Sequence, residues 1–500
     1  MRESPVLTRR RVVLGVSAGG AALALLSACS RLTAAPTPVP TATKPAATPA
    51  PSATHTASAA ATRPTAGATP SSAATPVAAT TPITSTAATR PAASAITPTV
   101  AAQTRNVGKA AITLAYWRPI KGKGEETGTN QITEAYAKAH SNVAFKTEFI
   151  PQDNLPQKLQ GGLATGTGPD IMALDTQWPV VYAALGVLAD PPNDLQGFLK
   201  EKTYPLVQTA ISHKGKFVAV PLDSSDLVLA YNEKLMQEAG LKTDRAPADW
   251  TELMQWAEKA TKRDGAGKLT QSGLWTDWSE WDWTAWLAAA GGQWWHTLEG
   301  VDYLEPPFVD AMQLYQDAIY KHKVFDVGTL PDAFTQGKAA MILAGPWTVT
   351  GMKQDAPNLK WGSWLVPPMK AGGASGTTLG GWHLGANAKS KNAETIWDFV
   401  NFHLTTENRV LWLKLTARTP PYKDLADDAI FKGDPNVETM VKQMSFNEGH
   451  GKPSSPAYLD VRDNITQVID RVIKQHEDIR KVLGEEKAKI DKVFVEKSKS

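Results

Sequence analysis

The chain has 500 residues, and its charges and aromatic side chains are unevenly distributed. Residues 1–110 carry a net charge of +9 and no Trp, Tyr or Phe; because the whole chain carries +3, residues 111–500 carry −6. A mildly acidic domain argues against a nucleic-acid binder, which needs a basic stripe to neutralise phosphates. The single cysteine, Cys29, excludes a disulfide framework within the chain and a cysteine-based zinc site.

Residues 1–29 predict an export signal. Three arginines at positions 9–11 precede an apolar stretch, residues 12–26, which is shorter than the ~20 residues that span a bilayer. The stretch ends in Leu26-Ser27-Ala28-Cys29, which resembles a bacterial lipobox and predicts lipid attachment to Cys29. Twin-arginine export and general secretion both fit the arginine run, and an uncleaved anchor is the alternative to lipidation. We therefore expect a lipid-anchored protein on the extracellular face of the cytoplasmic membrane or in the periplasm.

Residues 30–110 consist almost wholly of Ala, Thr, Pro and Ser and contain no acidic residue. Such a segment cannot bury enough apolar area to offset the entropy of folding, so it predicts a disordered tether. A flexible coil of this length has an r.m.s. span of roughly 50 Å. The composition also leaves O-glycosylation of the tether open.

Strand-like and helix-like patterns alternate from residue 111 onward. They predict, in order, a strand at 112–116, a helix at 131–140, a strand at 143–149, a helix at 155–163 and a strand at 170–174. This alternation favours an α/β fold in which a mostly parallel, doubly wound sheet is flanked by helices. Because ligands bind at the carboxyl ends of such strands, we expect Trp117 and Asp175 at the rim of a binding site.

Two later segments also predict helices. Asp249 and Glu252 have the spacing of a capping box, and Trp256 follows at helical spacing as a core residue. Residues 465–493 predict a helix with charges of both signs, which indicates a solvated surface rather than a site.

Five segments, taken in order, carry a resemblance to a known family. They are residues 231–241, 247–253, 334–341 running into Gly345-Pro346-Trp347, 380–382, and 388–394. In this order and spacing they resemble the extracellular solute-binding proteins of carbohydrate-type ABC importers, the relatives of maltose-binding protein. The resemblance covers about residues 111–470.

The resemblance implies a chain that crosses repeatedly between two α/β lobes. The crossings are expected near residues 218–221, 366–376 and 420–422. The implied lobes are about 111–220 with 376–420, and 221–375 with 421–500, and hinge closure would enclose the ligand between them. The resemblance further implies a monomer without a cofactor that passes its ligand to ABC permease subunits in the membrane and is not an enzyme.

The candidate ligand-binding residues combine aromatic rings with polar side chains. Sugar rings present an apolar C–H face and a hydroxyl edge, which match flat aromatic rings and hydrogen-bonding groups. Residues 275–286 interleave Trp with acids, and there we expect at least one of Trp278, Trp281 and Trp283 to line the cleft. Trp347 and Trp382 follow glycine-containing turns, where the resemblance implies ring-stacking aromatics. The remaining candidates lie near predicted strand ends or crossings: Trp117, Gln177, Trp178, Asp223, Asp226, Arg418 and Tyr422.

A glycoside hydrolase is the alternative from another class, because it needs two carboxylates facing each other across the bond. The candidate acids are Asp175, Asp223, Asp226, Glu280 and Asp282. Beyond the predicted export signal, residues 1–29, the sequence has no nucleophile-elbow motif, zinc-protease helix or phosphate loop, and its histidines lack metal-ligand spacing. We therefore predict carbohydrate binding, with an oligosaccharide as ligand and without a metal or cofactor. A glycerophosphodiester or another polyol is the alternative ligand.

Overall fold

The computed structural model describes residues 103–499, apart from positions 121, 277–278, 331, 427 and 446–451. The predicted export signal, Cys29, Trp278 and nearly all of the predicted tether lie outside the described residues. Within the described ranges, no helix is both long and apolar enough to cross a bilayer.

Strands are distributed along the whole described chain. They are β1 (Gln103–Val107), β2 (Ile112–Ile120), β3 (Val143–Pro151), β4 (Ile171–Asp175), β5 (Leu188–Ala189), β6 (Ser212–His213), β7 (Lys216–Phe217), β8 (Val220–Pro221), β9 (Val228–Asn232), β10 (Lys262–Arg263), β11 (Leu269–Trp275), β12 (Ala339–Ala344), β13 (Trp361–Trp364) and β14 (Trp382–Asn387).

Helices alternate with these strands and continue beyond them to the end of the described chain. They are α1 (Lys123–Ala139), α2 (Leu155–Thr165), α3 (Trp178–Ala184), α4 (Asn193–Lys202), α5 (Pro205–Ala210), α6 (Glu233–Glu238), α7 (Trp250–Ala260), α8 (Glu280–Ala289), α9 (Pro306–Tyr320), α10 (Pro346–Asp355), α11 (Ala393–His403), α12 (Thr406–Thr416), α13 (Pro435–Met444), α14 (Tyr458–Ile469) and α15 (Ile479–Lys497).

Two large sheets define two lobes. The sheet of the first lobe has the strand order β1-β3-β2-β4-β14-β5, and β8 also pairs with β14. The sheet of the second lobe has the order β10-β11-β12-β9-β13. The chain therefore leaves the first sheet after β8, enters the second at β9, and returns to the first sheet at β14.

Both sheets are mixed, which confirms the predicted α/β class but corrects the prediction that the sheets are mostly parallel. Strand β2 is parallel to β3 and β4, and β11 is parallel to β12. Strand β14 runs antiparallel to β4, β5 and β8, and β9 runs antiparallel to β12 and β13. A parallel neighbour needs a helical crossover within one lobe, and β9 and β14 are instead entered directly from the other lobe.

The folded body begins earlier than the composition predicts. Residues Gln103–Val107, assigned to the tether in the sequence, form the edge strand β1, which pairs antiparallel with β3. Four of these five side chains are exposed. The strand is therefore held mainly by its backbone hydrogen bonds, and a hydrophobic pattern could not reveal it.

Strand β2 is longer than predicted, and this changes the position of Trp117. From the sequence, Trp117 is expected beyond the strand end, but β2 continues to residue 120, so Trp117 belongs to the strand itself. The indole packs beside Gly162 of α2, with Lys158 Nζ 4.4 Å from the ring centroid.

The predicted helix cap is confirmed, whereas the predicted terminal helix is broken. The Asp249 side chain accepts a hydrogen bond from the Glu252 amide at 2.9 Å, and Trp256 is buried as predicted. The segment predicted as one helix divides into α14, a π-helical turn and α15. Asp478 caps the new helix by accepting a hydrogen bond from the Lys481 amide at 2.8 Å, which favours a restart at this point.

Candidate functional site

Three segments that connect the lobes lie side by side. The backbone of Ser224 pairs with Thr419, and that of Ser225 pairs with Gly380. The Gly380 amide donates to the Ser225 carbonyl at 2.7 Å, and the Ser224 amide donates to the Thr419 carbonyl at 2.9 Å. These segments are called the crossing segments below (residues 222–227, 365–381 and 417–422). Groups attached to them face both lobes.

Two glycines allow close packing at the crossing segments. A Cβ atom on Gly380 would lie 2.2 Å from the Trp281 ring, and a Cβ on Gly381 would lie 2.3 Å from the Asp223 carbonyl oxygen. Gly381 also has a φ of +140°, which disfavours any residue with a side chain. The glycine pair thus lets Trp281 of the second lobe contact the backbone that leads into the first.

Asp223 is the central acceptor of the crossing segments. Its Oδ1 accepts from the Trp382 amide at 3.0 Å, and its Oδ2 accepts from Trp412 Nε1 at 2.7 Å. Arg418 Nη1 lies 3.7 Å from Oδ1. Burial raises the pKa of Asp223 to about 6, although the Arg418 charge opposes the shift. Asp223 is therefore mostly a carboxylate at neutral pH, with its oxygens held by fixed donors.

Arg418 joins this carboxylate to the first lobe. Its Nε donates to Glu125 Oε1 at 3.0 Å, and its Nη2 also donates to that oxygen. Glu125 lies in the first turn of α1, near Arg118 of β2, whose guanidinium stands over the Trp412 ring at 4.8 Å. All four charged groups of this network are buried, so their charges must be compensated by one another.

Two aromatic rings of the second lobe stand next to this network. The Trp347 ring is half-buried at the start of α10, and the Arg418 guanidinium lies 5.8 Å from its centroid. The half-buried Trp281 ring, at the start of α8, lies 6.4 Å from Trp347 at a tilt of 54°. A Cβ on Gly345 would lie 2.3 Å from the Trp347 ring, so the helix cap must be glycine for the ring to fold back over it.

Lys452, which is distant from Trp281 in the sequence, packs against the Trp281 ring. Its Nζ lies 4.2 Å from the Trp281 ring centroid and donates to Glu280 Oε1 at 3.2 Å. Gln177 of the first lobe donates to the Lys452 carbonyl and to the Leu379 carbonyl, each at 3.4 Å. Lys452 is thus a contact point between the lobes.

Several buried polar atoms on or beside the crossing segments make no hydrogen bond within the described residues. They are the hydroxyls of Thr378 and Thr419, Gln177 Oε1, Trp281 Nε1 and both carboxyl oxygens of Asp226. Asp226 is fully buried, and burial raises its pKa well above its usual range. Buried polar groups are normally paired, and each exception points to a strained or functional position.

Trp178 and Trp382 lie beside the crossing segments but are packed into the first lobe. Their rings meet edge to face at 6.4 Å, and each is only 2% exposed. The Trp382 amide reaches Asp223, whereas its ring is part of the core of the lobe.

Three predicted site residues are held by packing contacts in the structure. Trp117 packs against α2, as described above, and Trp283 is fully buried against Phe308 at 4.6 Å. Tyr422 is also fully buried, and its hydroxyl donates to the Pro221 carbonyl. The ligand roles predicted for these three residues stay predictions, and each has a packing role in the structure.

Sequence reasoning missed Arg118, Glu125 and Lys452. Arg118 follows Trp117 in β2, and a strand pattern does not distinguish a buried Arg from an exposed one. Glu125 looks like an ordinary acidic residue in a helical first turn, and Lys452 looks like a loop lysine. Only the buried contacts of these side chains reveal them.

In the described part of the chain, no group of three or more His, Cys, Asp or Glu could hold a metal ion. An apolar cavity of about 20 Å³ lies in the second lobe among Trp275, Trp286 and Tyr315. It has room for a water molecule but not for a sugar ring.

Three relatives illustrate the similarity in sequence. A Brucella abortus protein described only as a binding protein is 23% identical over 79% of this chain and 95% of its own length. The maltotriose-binding protein of Pyrococcus abyssi is 23% identical over 71% of this chain and 77% of its own. The sn-glycerol-3-phosphate-binding periplasmic protein UgpB of Brucella suis is 24% identical over 71% of this chain and 86% of its own.

Solved structures confirm the predicted two-lobed fold. An ABC transporter solute-binding protein from Thermotoga lettingae, bound with α-D-tagatose, has a TM-score of 0.66 at 21% identity and covers 77% of this chain and all of its own. The maltotriose-binding protein of Thermus thermophilus has a TM-score of 0.65 at 21% identity, over 76% of this chain and all of its own.

The family itself is established by a match to a family profile. Residues 122–410, more than half of the chain, match the profile described as bacterial extracellular solute-binding protein. The resemblance found in the sequence is thereby confirmed, and the chain belongs to the bacterial extracellular solute-binding protein family.

Proposed function

We propose that this protein is an extracellular, lipid-anchored receptor that binds a carbohydrate, specifically an oligosaccharide, and delivers it to an ABC importer. The observation that carries the proposal is that the Trp281 and Trp347 rings lie together near crossing segments whose buried polar atoms lack hydrogen bonds within the described residues. Aromatic rings suit the C–H face of a sugar, and the polar atoms suit its hydroxyl edge.

The hydrogen-bonding groups match the needs of a polyhydroxy ligand. A sugar hydroxyl both donates and accepts, so it can pair with the Asp226 carboxyl as well as with the Thr378 and Thr419 hydroxyls. Trp281 Nε1 offers a donor next to the stacking surface. Opening of the lobes about the crossing segments would expose these groups, and closure on the ligand would satisfy them.

The charges around the crossing segments favour a neutral ligand over a phosphorylated one. Arg418 is paired with Glu125 and Asp223, and Lys452 is paired with Glu280. A phosphate would have to break one of these buried ion pairs and leave a carboxylate uncompensated, which is costly. The glycerophosphodiester alternative, which the UgpB relative keeps open, therefore has less support than a sugar.

The ligands of relatives agree with this choice without deciding it. The Pyrococcus abyssi relative is named for maltotriose, and the Thermus thermophilus structure contains maltotriose. No covalent step is proposed, and the protein acts as a monomer: lobe closure buries the ligand, and docking on the permease releases it. Lipidation of Cys29 would keep the receptor near that permease.

A thermal-shift screen of the full-length protein tests the proposal. The panel contains maltotriose, mannotriose, α-D-tagatose and glycerophosphodiesters. A ligand at 100 times its Kd stabilises the folded state by about 2.7 kcal/mol, which is readily visible as a shift in Tm. Stabilisation by glycerophosphodiesters but by none of the sugars would refute the carbohydrate assignment.

An enzyme assay tests the remaining alternative. Chromogenic glycosides are incubated with the protein at low concentration, and product release is followed over many turnovers. A receptor releases no product, so sustained release would overturn the binding function and support a glycan-processing enzyme.

A further inference from the structure

Lys452 has an environment unlike that of a surface lysine. Its side chain is only 2% exposed, and its ammonium lies between the Trp281 ring at 4.2 Å and the Trp294 ring at 5.3 Å. Lysines normally keep the ammonium in water even where the stem is buried. Some local interaction must therefore hold this ammonium against the aromatic surface.

Two kinds of attraction hold it there. The first is the ion pair with Glu280, and the second is the cation–π contact with Trp281. Burial lowers the pKa of Lys452, while the negative charges of Glu280 and Asp175 act in the opposite direction. The ammonium is thus held by one ion pair and one cation–π contact, and it does not need an anionic ligand to neutralise it.

The same Trp281 ring is a stacking surface in the proposed function, on which this inference rests. We propose that Lys452 is a specificity-determining residue that occupies a stacking face of Trp281. A sugar reaches this face only by displacing the ammonium. The site therefore selects ligands whose contacts replace both the cation–π interaction and the hydrogen bond to Glu280.

This arrangement distinguishes Lys452 from a lysine that binds an anionic ligand. An anion-binding lysine would point into a polar opening with spare hydrogen-bonding capacity. Lys452 instead points onto a ring face and donates to a carboxylate of the same lobe. Its removal should therefore improve binding of a neutral sugar rather than abolish it.

Two substitutions separate these cases in the full-length protein. Lys452→Ala uncovers the ring, whereas Lys452→Met keeps a side chain of similar length without the charge. The matched control is Lys158→Ala, because Lys158 covers Trp117 at a similar distance of 4.4 Å but lies away from the crossing segments. Affinities are measured by titration calorimetry with maltotriose and mannotriose.

We expect Lys452→Ala to bind the sugar about 2- to 30-fold more tightly, the range that corresponds to one cation–π contact. Lys452→Met should tighten binding by a smaller factor, and Lys158→Ala should leave it unchanged. Unchanged or weaker binding by folded Lys452→Ala would overturn the inference. If that variant does not fold, unchanged or weaker binding by Lys452→Met overturns it instead.

Failure of the proposed function looks different from failure of this inference. If the wild-type protein binds neither sugar and none of the wider panel, the receptor function fails, and the role of Lys452 fails with it. If the wild type binds but the Lys452 variants show no gain, only the role of Lys452 is refuted.

Discussion

Replacement of Trp347 by Ala tests whether this ring is a stacking surface for the ligand. The ring is half-buried at the start of α10, 6.4 Å from the Trp281 ring and 5.8 Å from the Arg418 guanidinium. Truncation removes an aromatic face beside the crossing segments and leaves the sheets of both lobes intact. We therefore expect the variant to lose binding free energy and to lose less folding free energy than a fully buried Trp would.

The expected magnitudes follow from the degree of burial. Loss of one stacking contact costs about 1–3 kcal/mol of binding free energy, by analogy with aromatic hot spots and base stacking. That cost corresponds to a Kd about 5- to 150-fold weaker. A fully buried Trp truncated to Ala loses about 3–5 kcal/mol of stability, so half-buried Trp347 should lose roughly half as much.

A core Trp provides the matched control. Trp283 is fully buried and packs against Phe308 at 4.6 Å. We expect Trp283→Ala to lose about 3–5 kcal/mol of unfolding free energy and to keep normal affinity where it is folded. Urea unfolding of the ligand-free protein and titration calorimetry with the sugar found in the screen give both quantities for each variant.

The comparison has one outcome that refutes the reasoning. If Trp347→Ala is destabilised as much as Trp283→Ala but binds the sugar normally, Trp347 is a core residue. The stacking surface of the proposed site would then have to be sought at Trp281 alone.

Three further predictions concern titration, anchoring and the tether. Burial raises the pKa of Asp226, so the folded state binds its proton more tightly, and wild-type stability falls as pH rises from about 4 towards the folded pKa. Relative to the wild type, Asp226→Asn should therefore gain about 1.4 kcal/mol of unfolding free energy per pH unit over that range in urea unfolding. A difference between variant and wild type that stays constant with pH would contradict this prediction. Cys29→Ser should leave the protein folded but release it from membranes on fractionation, whereas retention of the unprocessed protein would identify the apolar stretch as the anchor. Deletion of residues 35–85 should change the Kd for the sugar little, because loop-length effects are logarithmic. A deletion that extends through Gln103–Val107 should instead lower the Tm, because it removes β1. A large loss of affinity from the shorter deletion would place part of the tether in the binding unit.

Local sequence patterns determined the class of fold and the identity of the family. Strand and helix periodicities are local properties, so the alternation after residue 111 predicted an α/β chain, and the Asp249 cap and the Trp256 core position were predicted correctly. The five ordered segments predicted the solute-binding family, which the match to the family profile then confirmed. Periodicity failed for β1, because an exposed edge strand needs no apolar pattern.

Only the tertiary structure decided which Trp and which charged residues lie together. Trp281 and Trp283 are two residues apart in the same helix, yet the first contacts Gly380 and the second is fully buried, because the helix turns their side chains in different directions. The hydrogen bond between Arg418 and Glu125 joins residues 293 positions apart. No local pattern encodes such a pairing, since the attraction between the two charges offsets the cost of burying them only after the chain has folded.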